Sequence, residues 1–363
     1  MKIPMDRAIN PSSSSTVTRK LVFTEENCES DISCTPSLVG STDDHESSPY
    51  KVPSLSKTTS DTSCELVSEV VEECKKVQKL NLQSTLSKIQ NNPKLYIGLP
   101  KELYFLIYLL VSHTGIPLEN ILLCLMKIKL HKTFSQLADD FDLSLSQASN
   151  IFFNKMPEII KVLSPFIKPF STESIKKNLP IAFRHKYNQV TCIIDCLEIE
   201  IQKPTKAIHQ ALTWSDYKKT NTIKYLISYT PDGLVNFVSN GYAGRISDVN
   251  LLENSKFLEC LQPGACILAD RGFKHLELYL SQKGFVLLRP PSVPTGIKLS
   301  KADVKQTKQI ASLRIHVERV IQRLREFGML KLHSVVNNNL IGMLDLCIRT
   351  ACALINLQDA LSK

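Results

Sequence analysis

The chain has 363 residues, 43% apolar and 22% charged, with 44 Lys and Arg against 35 Asp and Glu, a net charge of +9. That is enough apolar sequence for one large domain and a smaller one. The longest uninterrupted apolar run, Leu103 to Val111, is nine residues, against the roughly 20 of a membrane-spanning helix, and no secretory-type apolar segment opens the chain. No membrane role is therefore expected. The 11 cysteines form no CxxC pair, which points to buried, reduced thiols rather than disulfides or a zinc site.

Residues 1–62 are rich in Ser, Thr, Pro, Asp and Glu and read as a disordered tail. This tail holds six basic and nine acidic residues, a balance of −3, so the remainder of the chain carries +12. Residues 63–92 read as an amphipathic helix, with Val67, Val70, Cys74 and Val77 at helical spacing, which packs or self-associates. Residues 93–180 read as a helical domain. Leu103 to Val111 and Ile121 to Leu130 are apolar enough to be buried helices, preceded by Pro100 and Pro117, where a helix start tolerates proline.

The segment from Phe134 to Asn154 has the spacing of a helix-turn-helix, with Leu137, Phe141, Leu143, Ala148 and Ile151 inward and small Ala138 at the crossing. Ser144 is placed to cap the second helix, and Asp142 stands where the turn often has Gly. The second helix offers Ser146, Gln147, Ser149 and Asn150 to solvent. It reads either as a DNA reader, with Gln147 and Asn150 as contacts, or as a helical packing unit.

From about residue 186 to 358 the period changes. Val190–Ile201, Thr222–Ser228 and Leu234–Ser239 are strand-like, the last two joined by Pro231-Asp232-Gly233. A helix over Asp248–Leu261, a strand over Ala265–Ala269, a helix over Lys274–Gln282, a strand over Phe285–Leu288, a polar loop over Ser292–Asp303 and a long helix from about Lys305 to Leu330 follow. Such an order implies an α/β fold, a mixed sheet flanked by helices.

Three acids stand in unfavourable places. Asp195 lies mid-strand, Asp270 directly follows the apolar run Cys266-Ile267-Leu268-Ala269, and Glu318 lies on the long helix. If the first and fourth of these strands are neighbours, the two aspartates share one edge and the helix can lay Glu318 against them. Clustered carboxylates repel unless hard cations sit among them, and two Mg²⁺ or Mn²⁺ ions suit such a set and phosphodiester chemistry. Each acid alone also reads as a cap or a surface ion pair. Arg314, Arg319, Arg323 and Arg325 surround Glu318 and suit a nucleic-acid backbone.

The segments IIDCLEIEIQKP, TWSDYKKTNTIKYLISYTPDG, GYAGRISDVNLLENSKFL, LADRGF and ASLRIHVERVIQRL, in this order, resemble the DDE superfamily endonuclease domain of PIF/Harbinger-type transposases, especially the branch often found behind THAP zinc fingers. The preceding helices, including IGLPKELYFLIYLL, resemble the small domain in front of it. The resemblance implies an RNase H-like fold and makes Asp195, Asp270 and Glu318 catalytic ligands of two divalent ions. It makes Asp248 either a further outer ligand or the N-cap of its helix, Trp214 a core residue and Lys224 a DNA contact. The family often has Thr two positions after the first Asp, where this chain has Leu197, and no THAP finger is seen in this sequence.

The resemblance implies a nuclear, metal-dependent DNA endonuclease and strand transferase acting on double-stranded DNA, with a separate DNA-binding partner protein and homo-oligomerisation as further expectations. Leu197 and the missing finger motivate an alternative, a domesticated, catalytically silent DNA-binding or complex-forming protein. A metal-dependent nuclease of other purpose is the third reading.

Overall fold

A computed structural model describes residues 61–290 and 301–358. The Ser/Thr-rich tail, and most of the polar loop expected over Ser292–Asp303, lie outside these described residues. The chain starts with α1 (Asp61–Asn91), the expected amphipathic helix. Near its C-terminal end Thr85 and Ile89 are buried, whereas Val70, Val71, Val77 and Leu80 are exposed.

Next come α2 (Pro93–Ile97), α3 (Phe105–Thr114) and α4 (Leu118–Leu130). The expectation that α3 is a buried helix is corrected. Ile107 and Leu110 are buried, but Phe105, Tyr108 and Leu109 face outward, because α3 meets its neighbours α4 and α6 along one edge only. In contrast, every residue of α4 from Ile121 to Lys129 is buried, including two lysines. Burial pushes the Lys127 ammonium down to about 8. It donates to the Lys132 carbonyl and lies 4.7 Å from the Phe134 ring centroid.

The helix-turn-helix forms as α5 (Phe134–Phe141) and α6 (Leu145–Leu163). Both helices open on capping boxes, Thr133 with Gln136 and Ser144 with Gln147, each satisfying two otherwise orphaned backbone donors. Asp142 closes α5 in the left-handed conformation, φ 52°. Leu137, Ala138, Phe141, Ala148 and Phe152 are buried between the helices. Two short helices, α7 (Thr172–Lys177) and α8 (Ile181–Arg184), lead into the sheet.

The sheet comprises β1 (Val190–Glu200), β2 (Trp214–Ser215), β3 (Thr220–Tyr229), β4 (Val235–Val238), β5 (Tyr242–Ala243), β6 (Cys266–Leu268) and β7 (Val286–Leu288). Its order is β2-β3-β1-β6-β7, with β4 and β5 also pairing β3. β1 is antiparallel to β3 and parallel to β6, and β6 is parallel to β7, so the sheet is mixed. The connecting helices are α9 (Ala207–Thr213), α10 (Asp248–Asn254), α11 (Leu276–Gln282), α12 (Lys301–Arg325) and α13 (Ile341–Asn356). β2, β5 and α9 are too short to show in the hydrophobic pattern. The single helix expected over Asp248–Leu261 is α10 plus a 3₁₀ turn, Phe257–Cys260, broken by Lys256 at φ 59°. The long helix starts at Lys301, four residues earlier than expected.

Side chains of β1 alternate between two cores, as a period of two requires. Ile193, Leu197, Ile199 and Ile201 join the larger core with α12 and α13, and Cys192 and Ile194 join the smaller one with α10 and α11. The larger core runs without interruption from Ile89 and α4 through the sheet to α13. At the junction Gly328 lies against the end of α4, where a Cβ would stand 2.9 Å from the Leu130 carbonyl carbon. Phe327 is fully buried there and receives the Lys129 ammonium 4.7 Å from its ring. Complete burial of one such side chain is worth about 1.5–3 kcal/mol.

Asn338–Asn356 is, by length and composition, apolar enough to cross a membrane, a segment that the run-length reading missed because Asp345 and Arg349 interrupt it. Here most of it is packed inside the larger core. Of the described cysteines, five fit the buried-thiol expectation, while Cys196 is part-buried and Cys260 is exposed. Cys124, Cys192, Cys266, Cys347 and Cys352 are free and buried, and burial pushes the Cys192 and Cys347 thiols up to about 12.

Candidate nuclease site

β1 and β6 pair with Cys192 beside Ile267 and Ile193 beside Leu268. Asp195 and Asp270 each lie two residues beyond that last pair. The parallel register therefore sets them side by side, on the same face, where β6 has just ended. That face is the one covered by α12 and α13, because Ile193 and Leu268 belong to the larger core. Both aspartates are part-exposed. Asp195 accepts from the Cys196 backbone N–H at 2.8 Å, and Asp270 accepts from the Arg271 N–H as the cap of the 3₁₀ turn Arg271–His275. The strand supplies Asp195 with a fixed backbone, and the turn does the same for Asp270.

α12 packs across β1 through Ile310, Leu313, Val320 and Leu324. Glu318 is on this helix and is exposed. Among the described residues no group of three or more His, Cys, Asp or Glu is gathered closely enough to hold an ion. The structure thus brings Asp195 and Asp270 to one level and leaves Glu318 on the neighbouring helix. The donors of the pair are hard carboxylate oxygens with no thiol or imidazole among them, which fits Mg²⁺ or Mn²⁺ better than softer ions.

The arginines divide. Arg325 is not a surface cation: it donates to the Leu330 carbonyl at 2.6 Å and to the Glu198 carbonyl at 3.1 Å. Burial pulls its pKa down, with Glu200, Asp195 and Glu198 opposing. It braces the end of α12 against β1 and softens the negative field around Asp195. Arg319 is exposed and Arg323 part-exposed on α12. Arg314 belongs to the same helix, with its side chain outside the described part.

Asp248 and Lys224 form a different cluster. Lys224 donates to Asp248 at 2.6 Å and lies 4.0 Å from Glu198, with only 12% of its side chain exposed. Cys196 donates to Asp248 at 3.6 Å, and Thr222 donates to Glu198 at 3.0 Å. Burial opposes the Lys224 charge, but the surrounding acids outweigh it and hold its pKa above the usual lysine value. The expected DNA contact by Lys224 is therefore corrected: its ammonium is enclosed by protein acids. The N-cap reading of Asp248 is corrected too, because Ser247 caps α10 and accepts from the Asn250 N–H at 3.2 Å, while Asp248 is the first helical residue. Cys196 and Glu198 alternate with Asp195 along β1, so this cluster lies on the sheet face opposite the Asp195–Asp270 pair.

Two further expectations change. Gln147 has its side-chain oxygen engaged by the Ser144 N–H at 2.8 Å, so its first role is structural, whereas Asn150 is exposed. Trp214, expected in the core, is 39% exposed, because β2 lies at the sheet edge. Leu197 is buried in the larger core, where it packs rather than hydrogen-bonds.

The chain thus combines a mixed-sheet α/β domain, with Asp195 on β1 level with Asp270 just past the end of β6, and a helix-turn-helix. Residues 194–356 match the family model of the DDE superfamily endonuclease, and residues 117–165 match the helix-turn-helix of DDE superfamily endonuclease. The two matches support a transposase-like DDE superfamily endonuclease acting on DNA. The first covers Asp195, Asp270 and Glu318, and the second covers α4 to α6. No curated protein matches the chain.

Proposed function

We propose that this chain is a PIF/Harbinger-type transposase, a divalent-metal-dependent DNA endonuclease and strand transferase that works on double-stranded DNA in the nucleus. The observation that carries this reading is the register that makes Asp195 and Asp270 neighbours inside the matched endonuclease segment. Asp195 and Asp270 would hold two Mg²⁺ or Mn²⁺ ions, and Glu318 would add the third carboxylate from α12, with Asp248 apart on the other face. When bound, such ions activate the attacking oxygen and offset charge on the phosphodiester. The aspartates keep their carboxylates oriented through rigid backbone donors, Arg325 tempers their mutual repulsion, and Arg319 and Arg323 offer positive charge to the DNA backbone. The helix-turn-helix presents Asn150 and Ser146 for duplex contact. A separate DNA-binding protein and self-association complete the assembly.

The deciding experiment is cleavage of duplex DNA bearing the terminal repeats of the element, with Mg²⁺ or Mn²⁺. Asp195→Asn, Asp270→Asn and Glu318→Gln should each abolish it. If Asp270→Asn cuts as well as the parent, the site assignment is wrong. The exposed position of Glu318 and the buried Leu197 favour one second reading, a catalytically silent DNA-binding descendant. It predicts salt-sensitive DNA binding with no divalent-dependent cleavage in the parent.

A further inference from the structure

Between β1 and β3 the chain builds a small lobe from residues 202–219, comprising α9, β2 and a tight turn. Its backbone is well tied. The Asn221 side-chain amide donates to the Gln210 carbonyl and the Thr213 hydroxyl, both at 2.9 Å, and the Lys219 N–H donates to the Ser215 carbonyl at 2.8 Å. The Arg245 N–H donates to the Leu212 carbonyl at 3.1 Å.

On this rigid support the lobe turns its rings outward. Tyr217 is 82% exposed and Trp214 is 39% exposed, and Ile208 and Leu212 of α9 are exposed as well. Lys203, Lys206 and Lys219 of this segment and the nearby Arg245 are exposed, and the Lys218 ammonium stands 5.0 Å from the Tyr217 ring centroid. Asp216 is the lone acid of residues 202–219, and it accepts from the Trp214 indole N–H at 3.2 Å. The contrast with the helix-turn-helix is sharp: residues 134–154 contain no Lys or Arg and three Asp.

We infer that this lobe is a stacking platform for an unpaired DNA strand, with Trp214 and Tyr217 receiving bases and Lys203, Lys206, Lys219 and Arg245 facing the phosphates. Every base has a π-face, and aromatic rings interleaved with cations bind single strands with little regard to sequence. Paired bases in a duplex stack on one another and offer no such face. The lobe leaves β1 at Glu200, five residues past Asp195, about 17 Å along the strand at ~3.3 Å per residue. A strand parted near the aspartates is within reach of it. The inference deepens the nuclease reading and rests on it for the identity of the ligand as DNA.

Trp214 is the single tryptophan of the chain, so its emission reports this lobe directly. The test titrates the full chain, without divalent ions, with an oligothymidylate of about 12 nucleotides, while fluorescence anisotropy of a labelled copy measures binding independently. Saturable quenching that tracks binding is expected, absent with a blunt duplex of the same length. Tyr217→Ala should weaken binding about tenfold, and Tyr217→Phe should retain it. Binding without any change in Trp214 emission overturns the inference. So does equal quenching by polyglutamate, which assigns the lobe to an acidic protein. Terminal-repeat cleavage separates the two claims. Absent cleavage with intact quenching removes the nuclease reading alone, whereas intact cleavage without quenching removes the platform alone.

Discussion

Asp195 on β1 and Asp270 just past the end of β6 are equivalent steps along two parallel chain segments, each two residues past the Ile193–Leu268 pair. This relationship has an energetic side. Two carboxylates on one face repel, and neither is deeply buried. Asp270→Asn keeps the side-chain oxygen that accepts from the Arg271 N–H, so it should leave the protein folded, while reducing divalent-dependent cleavage by about a hundredfold or more, the upper range even for residues that only support metal ligands. Calorimetry and the cleavage assay on the same variant check both halves. A large loss of stability would show that Asp270 is structural.

Lys224 makes the opposite prediction. Removing it leaves Glu198 and Asp248 facing each other without a cation, so Lys224→Met should destabilise by about 3 kcal/mol, read from urea unfolding. The raised pKa of Lys224 sets the pH window. The pair's contribution is fully present below the ordinary lysine value of 10.5 and is lost as pH rises through the higher folded value. Between pH 6 and 9, about the range used for such assays, the difference between parent and variant should stay constant.

Lys127 runs the other way. Its folded pKa is about 8, below the ordinary 10.5, so between those values the unfolded chain binds more protons. Folding stability should rise with pH across that window, as the cost of a buried charge disappears. Lys127→Met should lack this rise. Parallel slopes for parent and variant would contradict the assignment.

The helix-turn-helix turn offers a gain. Asp142 holds φ 52°, a conformation that glycine adopts without the Cβ penalty. Asp142→Gly should stabilise by up to about 1 kcal/mol, and Asp142→Val should destabilise by a similar amount or more. Thermal melts of the two variants give opposite signs if the turn is as described.

Gln147 and Asn150 separate folding from recognition. Gln147→Ala breaks a capping box and should lower stability by about 0.5–1 kcal/mol. Asn150→Ala should leave stability unaltered and weaken binding to the recognised duplex. Equal effects of both variants on stability would remove the distinction.

Much of this arrangement could be read before any coordinates. Alternation of apolar residues placed β1 and β3, and the short apolar run ending in Asp270 placed β6. Their adjacency then followed from strand order, so the aspartate pair was legible. The helix-turn-helix was equally so, because Ser144, Asp142 and the spaced apolar residues carry local signals. What was not legible is which polar residues turn inward. Lys224, Arg325 and Gln147 look like surface contacts in a string of letters. Strand register and helix packing bring Asp248 to Lys224 and the Glu198 carbonyl to Arg325, while Gln147 is engaged by the local capping box at Ser144. Trp214 fails in the reverse sense: a tryptophan is normally taken for core, and nothing local marks β2 as an edge strand.

The unbroken core from α4 to α13 has a consequence for how reading and cutting relate. A DNA-reading element on a flexible tether can sample many positions relative to a cutting centre. Here α6 packs on α13, and Phe327 and Gly328 lock the end of α12 under α4. α6 and the aspartates are thus two marks on one ruler. The spacing between a recognised sequence and a cut would be a property of the fold itself, and lengthening the connection near residue 180 should disrupt folding rather than shift the cut.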